Sequence, residues 1–158
     1  MAELLEQQFL TLSLARERYA VPVINVLEVL EDRPTTRLPK AAPYLKGIID
    51  LRGKGIPVLD LRLRFGMSET ESTKETSIVV VELSEKNGAT VVGLLADAVH
   101  EVIEIAPEKM EEAPGFGVGS AADFIKGIGR QDEGFVLVLD LDRLFSEEEL
   151  PLPAAAGG

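Results

Sequence analysis

The sequence predicts an all-β protein built from two similar halves. Short apolar segments, several of them alternating apolar and polar side chains, recur between turn residues along the 158-residue chain, which is typical of a barrel or a sandwich. A shift of 80 residues places residues 44–65 on residues 124–145 without a gap, with eight identities in 22 positions. Composition alone would give about one or two identities. A half of about 70 residues is marginal by itself, so the two halves are expected to share an interface.

The first half contains five strand-like segments. They are residues 9–14, 19–23, 26–30, 48–52 and 56–61. In the first of them leucines alternate with Thr11 and Ser13, as in a strand with one buried face. The tripeptide 53–55, Gly-Lys-Gly, predicts a hairpin turn before the last segment. Pro57 lies inside that segment and predicts an edge strand or a bulge, because proline has no amide hydrogen to donate.

The second half repeats this order after a polar joint at residues 67–77. Its strand-like segments are residues 78–83, 90–95, 99–105, 124–128 and 135–141. Asn87-Gly88 and Asp132-Glu133-Gly134 predict two hairpin turns. We therefore predict one domain over residues 1–158, with a first lobe at 8–76, a second lobe at 77–146 and a disordered tail at 151–158.

Composition excludes several classes of function. The chain has no Cys, no Trp and a single His, so a thiolate or paired-histidine metal site and a cysteine nucleophile are excluded. Its net charge of −11 disfavours nucleic-acid binding. Neither a signal peptide nor an apolar run long enough to span a membrane is found, so a cytoplasmic protein without direct membrane insertion is expected. We predict no metal and no cofactor.

The charge is unevenly distributed between the halves. Residues 1–79 hold 11 basic and 11 acidic side chains, whereas residues 80–158 hold 5 basic and 16 acidic ones. Such polarity suits a protein with two partners, although a solvated surface of uneven charge explains it equally well.

Few residues suggest catalysis. Asp60 and Asp140 occupy equivalent repeat positions, so a hydrolase with two carboxylates sharing a proton is one hypothesis. The favoured alternative is that each Asp caps the short helix that follows it. His100 lies in a strand-like segment without an identifiable catalytic partner and is expected to be a surface residue.

Glu28 and Arg52 are charged residues in apolar surroundings. Long charged side chains on short strands often pair across a sheet, which would make them a surface ion pair. Arginine is also enriched at binding hot spots, so the two residues could anchor a partner on an apolar face. The residues by themselves leave both interpretations open.

A family resemblance covers nearly the whole chain, from about residue 8 to residue 144. YLKGIIDLRG at 44–53, followed by IPVLDLR at 56–62, resembles the signature of the CheW coupling proteins of bacterial chemotaxis, and VVGLLADAV at 91–99 is similar to their second marker. The resemblance implies two tandem five-stranded SH3-like β-barrels packed around a shared hydrophobic core. It also implies a non-catalytic adaptor that links the cytoplasmic tips of methyl-accepting chemoreceptors to the regulatory domain of the histidine kinase CheA, beneath the inner face of the membrane. An adaptor of a pilus-motility or another chemosensory pathway is the alternative.

The resemblance also implies two sets of contact residues. The receptor-binding set is Val26, Glu28, Arg52, Ile78, Gly93, Val99 and Val102. The kinase-binding set is Phe116, Thr35, Leu38, Lys46 and Gly47. Glu111 departs from the family pattern, because some relatives carry a basic residue there, so the polar part of the contact around Phe116 is expected to differ.

Overall fold

The computed structural model describes residues 7–85, 88–112, 124–131 and 134–144, which form eleven β-strands and two short α-helices. The strands are β1 (Gln8–Leu14), β2 (Glu17–Pro22), β3 (Val26–Glu31), β4 (Leu45–Leu51), β5 (Lys54–Asp60), β6 (Ser77–Glu85), β7 (Gly88–Ala96), β8 (Ala98–Glu104), β9 (Met110–Glu112), β10 (Ile125–Gln131) and β11 (Gly134–Leu139). The helices are α1 (Leu61–Arg64) and α2 (Leu141–Leu144). Single 3-10 turns cover Val23–Asn25 and Pro107–Lys109.

Two of the hairpins close with two-residue turns in the left-handed region. Ala15 and Arg16 join β1 to β2 with φ of 49° and 83°, and Arg52 and Gly53 join β4 to β5 with φ of 53° and 84°. Positive φ at both central residues matches the twist of the flanking strands. The second turn therefore begins one residue before the predicted Gly53. Asn87, Asp132 and Glu133 lie outside the described residues.

The strands form two sheets that exchange hairpins between the halves of the chain. The six-stranded sheet has the order β8-β1-β2-β11-β10-β9, and the five-stranded sheet has the order β3-β6-β7-β5-β4. The hairpin β1–β2 thus lies among strands of the second half, and the hairpin β6–β7 lies among strands of the first half. Each hairpin joins its host sheet through a parallel contact, β2 with β11 and β7 with β5.

This exchange crosses the predicted lobe boundary at residue 76. Each sheet draws strands from residues on both sides of that boundary, so the sequence halves and the sheets do not coincide. The lobe bounds themselves stay a prediction. The physical reason for the mixing is that a strand's alternation specifies one buried face but does not specify which neighbour it pairs with.

The predicted barrel-like architecture is confirmed, although neither sheet is closed, because the two edge strands of each sheet are not paired with each other in the described part of the chain. In each half the chain leaves one edge strand and returns to the opposite edge of the same sheet. After β3 it pairs Thr36 with Ile48 of β4, and after β8 it forms β9, which pairs with β10. The longer second contact is why one sheet has six strands and the other five.

The predicted shared core is confirmed as well. One large cluster combines buried side chains of both sheets and both helices, among them Leu12, Leu14, Leu59, Leu94 and Leu139. Each sheet also encloses a smaller cluster of its own. The six-stranded sheet encloses Phe9, Ala20, Ile105, Val136 and Val138, and the five-stranded sheet encloses Ile49, Ile56, Val58, Ile78 and Val80.

Of the two alternatives predicted for Pro57, an edge strand or a bulge, the edge strand is excluded. Its strand, β5, is internal, between β7 and β4, and is not an edge. Pairing with β7 begins only at Val58, so Pro57 lies where no β7 residue is paired with it. The expected bulge does lie nearby, in β4, where Lys46 is the extra residue between the pairs Leu45–Leu59 and Gly47–Val58.

Candidate functional site

The edge strands β3 and β8 carry the same sequence motif. Residues 26–31 read VLEVLE and residues 99–104 read VHEVIE. Among the described residues each strand pairs on one side only, β3 with β6 and β8 with β1. A bulge interrupts both ladders at corresponding positions, after Val26 in β3 and after Val99 in β8. The two halves therefore present equivalent edges.

Four valines of these strands form an apolar rim around the shared core. Residues directly opposite in an antiparallel pair point to the same face of the sheet. The rim valines all lie opposite members of the central cluster: Val26 opposite Val81, Val29 opposite Val79, Val99 opposite Leu12 and Val102 opposite Leu10. We call Val26, Val29, Val99 and Val102 the apolar rim.

The outer members of the rim are exposed. Val29 is 43% exposed and Val102 is 51% exposed, whereas Val26 and Val99 are half-buried against the central cluster. Across the described part of the chain, the other exposed large hydrophobic residues are Ile24, Leu27 and Phe135, and the first two flank or belong to β3. Exposed apolar side chains gathered on two edge strands indicate a surface that a partner covers.

Val29 was missed by the sequence analysis. When VLEVLE is aligned with VHEVIE, Val29 takes the same position as Val102, which was predicted as a receptor residue. The internal repeat therefore contained the information needed to predict Val29. The periodicity of β3 alone could not show which of its apolar residues stays exposed, because a bulge shifts the alternation there.

Glu28 and Arg52 form the predicted ion pair. Arg52 donates from Nη1 and Nη2 to the two carboxylate oxygens of Glu28, at 2.7 and 3.2 Å. The hydrogen bond from Arg52 lowers the pKa of Glu28, and the charge of Arg33 lowers it further. Because Glu28 lies on β3 and Arg52 lies between β4 and β5, the pair spans the two edges of the five-stranded sheet.

The predicted receptor residues of β3 lie on both faces of that strand. Val26, Val99 and Val102 belong to the apolar rim, whereas Glu28 lies opposite Val80, on the face that covers the smaller cluster. The Arg52 side chain is 73% exposed and accessible to a partner. Ile78 is fully buried, and a Cβ on the buried Gly93 would lie 2.8 Å from its Cγ2. These two residues can affect a partner only through the side chains that they support.

The predicted kinase residues other than Phe116 lie together. Thr35 and Leu38 belong to the segment that runs from β3 to β4, and Thr35 donates its hydroxyl to the carbonyl oxygen of Lys46 at 3.3 Å. Gly47 has a φ of 146°, and a Cβ there would collide with the Thr36 carbonyl oxygen. Phe116 lies outside the described residues.

The catalytic candidates have structural roles. The Asp60 carboxylate accepts hydrogen bonds from the backbone amides of Arg62 and Leu63 at 3.0 and 3.3 Å, which confirms the capping interpretation for this residue. Burial raises the pKa of Asp60. The Asp140 carboxylate pairs with Arg143 at 3.6 Å. His100 is exposed, as expected, and lies 3.1 Å from the Ser13 hydroxyl.

Two further properties concern metals and membranes. Within residues 7–85, 88–112, 124–131 and 134–144, no group of three or more potential metal-ligating side chains is present. No helix in that part of the chain is long and apolar enough to cross a membrane.

Comparisons with known proteins agree on one family. The model of the CheW-like domain matches residues 8–149. The chemotaxis protein CheW of Klebsiella aerogenes is 29% identical over 150 residues, which cover 95% of this chain and 88% of that protein. CheW of Bacillus subtilis is 32% identical over 133 residues, covering 84% and 82%. The crystal structure of the scaffolding protein TtCheW from Thermoanaerobacter tengcongensis superposes with a TM-score of 0.81 at 34% identity, covering 92% of this chain and 98% of that one.

Proposed function

The chain belongs to the family of CheW-like domains, the chemotaxis coupling proteins, and we propose that it joins the tips of methyl-accepting chemoreceptors to a CheA-type histidine kinase. The observation that carries this proposal is the apolar rim, because an edge strand of each half exposes a valine beside the shared core. The protein acts by binding and not by catalysis, without a cofactor.

The receptor-docking site is the exposed edge of β3 and β8, where the apolar rim lies on one face of β3 and the Glu28–Arg52 pair lies on the other. A helical receptor tip would lay an apolar stripe against Val29 and Val102, in the helix-in-groove mode of recognition. Arg52 is oriented by its two hydrogen bonds to Glu28 and still exposes most of its side chain, so it can offer donors to a receptor carboxylate or carbonyl group. Ile78 and Gly93 support this site from within the sheet.

The kinase-docking site is the segment around Thr35 and Leu38 with Lys46 and Gly47, and Phe116 contributes a second contact. The short Thr36–Ile48 bridge holds this segment against β4. Arg52 follows the end of β4, whereas Lys46 and Gly47 lie at the start of that strand, so receptor and kinase can bind at once. In this role the protein works in the cytoplasm and reaches the inner face of the membrane through the receptors.

A charge placed on the rim tests the receptor site. Val102→Asp puts a carboxylate on an exposed apolar contact, and we expect receptor-fragment binding to weaken at least about tenfold while kinase binding is unchanged. Phe135→Asp is the matched control, because Phe135 is 59% exposed and lies on β11, away from both edge strands. Equal losses for the two variants would contradict the assignment.

Arg52→Ala tests the polar part of the same site. We expect about a thirtyfold loss of receptor binding, the size of a hot-spot contact, with unchanged kinase affinity. Arg18→Ala is the control, because Arg18 pairs with Glu101 of β8 at 3.3 Å as Arg52 pairs with Glu28 of β3. If the wild-type protein binds no CheA regulatory domain from the same genome, the whole proposal is wrong. Binding only to the kinase of a pilus-motility system would instead assign the protein to that pathway.

A further inference from the structure

Two cavities occupy equivalent places in the two halves. The first has a volume of about 380 Å³ and the second of about 530 Å³. The first is lined by Asp32, Arg33, Pro34, Thr35, Lys46, Val58 and Leu95. The second is lined by Phe9, Pro22, Ile24, Asn25, Met110, Glu111, Glu112, Lys126, Gly127 and Val138. Two of the lining pairs, Lys46 with Lys126 and Val58 with Val138, are separated by the 80-residue repeat.

Backbone pairing shows which wall residues correspond. Thr36 pairs with Ile48 in the first half, and Glu111 pairs with Ile128 in the second. A Cβ added to Gly47 would meet the Thr36 carbonyl oxygen, and one added to Gly127 would meet the Glu111 carbonyl oxygen. Thr36 therefore corresponds to Glu111, and the next residues, Arg37 and Glu112, correspond to each other.

The charge is opposite at one corresponding position, Arg37 and Glu112, whereas Lys46 and Lys126 are both cations. Arg33 and Lys46 line the first cavity, and Arg37 is exposed directly after its bridging residue. In the described part of the chain none of these three cations lies within ion-pair distance of a carboxylate, and the one acid of the wall, Asp32, accepts a hydrogen bond from Ser72 at 2.5 Å. The second cavity has Glu111 and Glu112 on the matching strand.

Cations gathered around one cavity stand out on a chain with a net charge of −11. Arg18, Arg52, Arg62, Arg130 and Arg143 each have a carboxylate partner within 4 Å. The charge of Arg33 acts on Glu28 and that of Lys46 acts on Asp60, but neither cation has a carboxylate within 4 Å among the described residues. Around a cavity lined by Val58 and Leu95, these cations are complementary to an acidic segment that also carries an apolar side chain.

We propose that the first cavity binds an acidic segment of the kinase partner, seating an apolar side chain in the cavity and placing Asp or Glu side chains against Arg33, Arg37 and Lys46. The proposal rests on the coupling function proposed above and adds the chemistry of the partner. The equivalent second cavity rejects the same segment, because Glu112 stands where Arg37 stands in the first. Charge thus distinguishes two docking places that the repeated backbone makes alike.

Charge reversal at the first cavity tests this. The double variant Arg33→Glu, Arg37→Glu is titrated with the purified kinase regulatory domain at low and at physiological ionic strength. We expect a loss of affinity of about tenfold or more at low salt and a weaker salt dependence than that of the wild-type protein. The matched control is Lys54→Glu, Lys74→Glu, which changes the net charge equally at exposed cations outside the cavity.

The outcomes separate this inference from the coupling function. If the wild-type protein and the cavity variant bind the kinase equally well, the inference is overturned and the coupling function stays intact. The same conclusion follows if the control variant loses as much kinase affinity as the cavity variant. Failure of the wild-type protein to bind the kinase overturns both. If the variant instead abolishes self-association in sedimentation without kinase, the occupant is a second copy of this chain and the proposed partner is wrong.

Discussion

The edge strands β3 and β8 have the same motif and the same place in their sheets, yet their glutamates are held differently. The buried Thr11 hydroxyl donates to the Glu101 carbonyl oxygen at 2.6 Å and lies 3.2 Å from the Glu101 carboxylate, which also forms an ion pair with Arg18 at 3.3 Å. Glu28 instead pairs with Arg52, an exposed turn residue. Glu101 contacts side chains of the neighbouring strands β1 and β2, whereas Glu28 orients a turn cation that stays largely exposed. Side chains that break the repeat are therefore the place to look for function.

The cavities show the same contrast between a repeated backbone and divergent side chains. Lys46 and Lys126 keep their positions, whereas Arg37 and Glu112 differ in sign. A repeated backbone has to preserve hairpins, bulges and core positions, because a packed core tolerates few changes in volume. Exposed positions around the cavities are under no such constraint, so the two halves can present different surfaces to different partners.

The largest expected difference in stability between the two halves concerns Gly47 and Gly127, the glycines that follow the bulges in β4 and β10. Gly47 has a φ of 146° and no space for a Cβ beside the Thr36 carbonyl group, whereas a Cβ on Gly127 would lie 3.0 Å from the flexible Met110 side chain and 3.1 Å from the Glu111 carbonyl oxygen. We expect Gly47→Ala to lower the free energy of unfolding by about 3 kcal/mol and Gly127→Ala by about 1 kcal/mol. Urea unfolding of both variants measures the difference, and equal losses would contradict the contrast.

The next difference concerns the corresponding positions 64 and 144 at the helix ends. Leu144 is fully buried in the shared core, so Leu144→Ala should cost about 2–4 kcal/mol. The Arg64 guanidinium lies 4.3 Å from the Tyr44 ring centre and 4.5 Å from that of Phe124, and its Nε donates to the Leu144 carbonyl oxygen.

Because Arg64 is only half-buried, Arg64→Ala should cost about 1–2 kcal/mol. Thermal unfolding of the two single variants measures both losses. A larger loss for Arg64→Ala than for Leu144→Ala would show that the stacked arginine, and not the leucine, holds the two helices together.

A smaller difference concerns the corners that lead into β8 and β3. Asp97 accepts two hydrogen bonds from Arg62, at 2.8 and 2.6 Å, and one from the Ala15 amide. At the other corner, the Asn25 side chain donates to the Glu82 carbonyl oxygen at 3.0 Å. We expect Asp97→Asn to cost about 1–2 kcal/mol at neutral pH and Asn25→Ala about 1 kcal/mol or less.

The Asp97 contribution should also depend on pH. The hydrogen bonds from Arg62 lower the pKa of Asp97 below its ordinary value. A lowered carboxyl pKa stabilises the folded state above the unfolded pKa, of about 4, and this stabilisation is lost as the pH falls toward the folded value. The wild-type protein and Asp97→Asn should therefore converge in stability below about pH 4, as followed by urea unfolding across that range. A constant gap between them would contradict the ion-pair account.

The smallest expected effect concerns the two hairpin turns. The β4–β5 turn places glycine at its second left-handed position, whereas the β1–β2 turn uses Ala15 and Arg16. Asparagine tolerates the left-handed region better than alanine does. We expect Ala15→Asn to raise the free energy of unfolding by about 0.5 kcal/mol. A loss of stability on denaturant unfolding would mean that Ala15 is not strained.

Much of this fold could be predicted from residue patterns. Apolar segments between turns located ten of the eleven described strands but not β9, and the 80-residue repeat led to two similar β units. Asp60 before a short apolar segment indicated a helix cap, which the hydrogen bonds to Arg62 and Leu63 confirm. The family signature led to the correct family. These features are local or repeated, so a single chain is enough to show them.

Tertiary structure decided the rest. That β1–β2 and β6–β7 lie in each other's sheets depends on pairing between segments far apart in sequence, and no local pattern encodes it. The burial of Ile78, the exposure of Val29 and the exposed position of Arg52 depend on that pairing and on bulges. The sequence by itself determined most of the segments that become strands, with β9 as the exception, and the family that they form. Only the packing of the two sheets decided which side chains remain outside the core to meet a partner, because exposure depends on every neighbour at once.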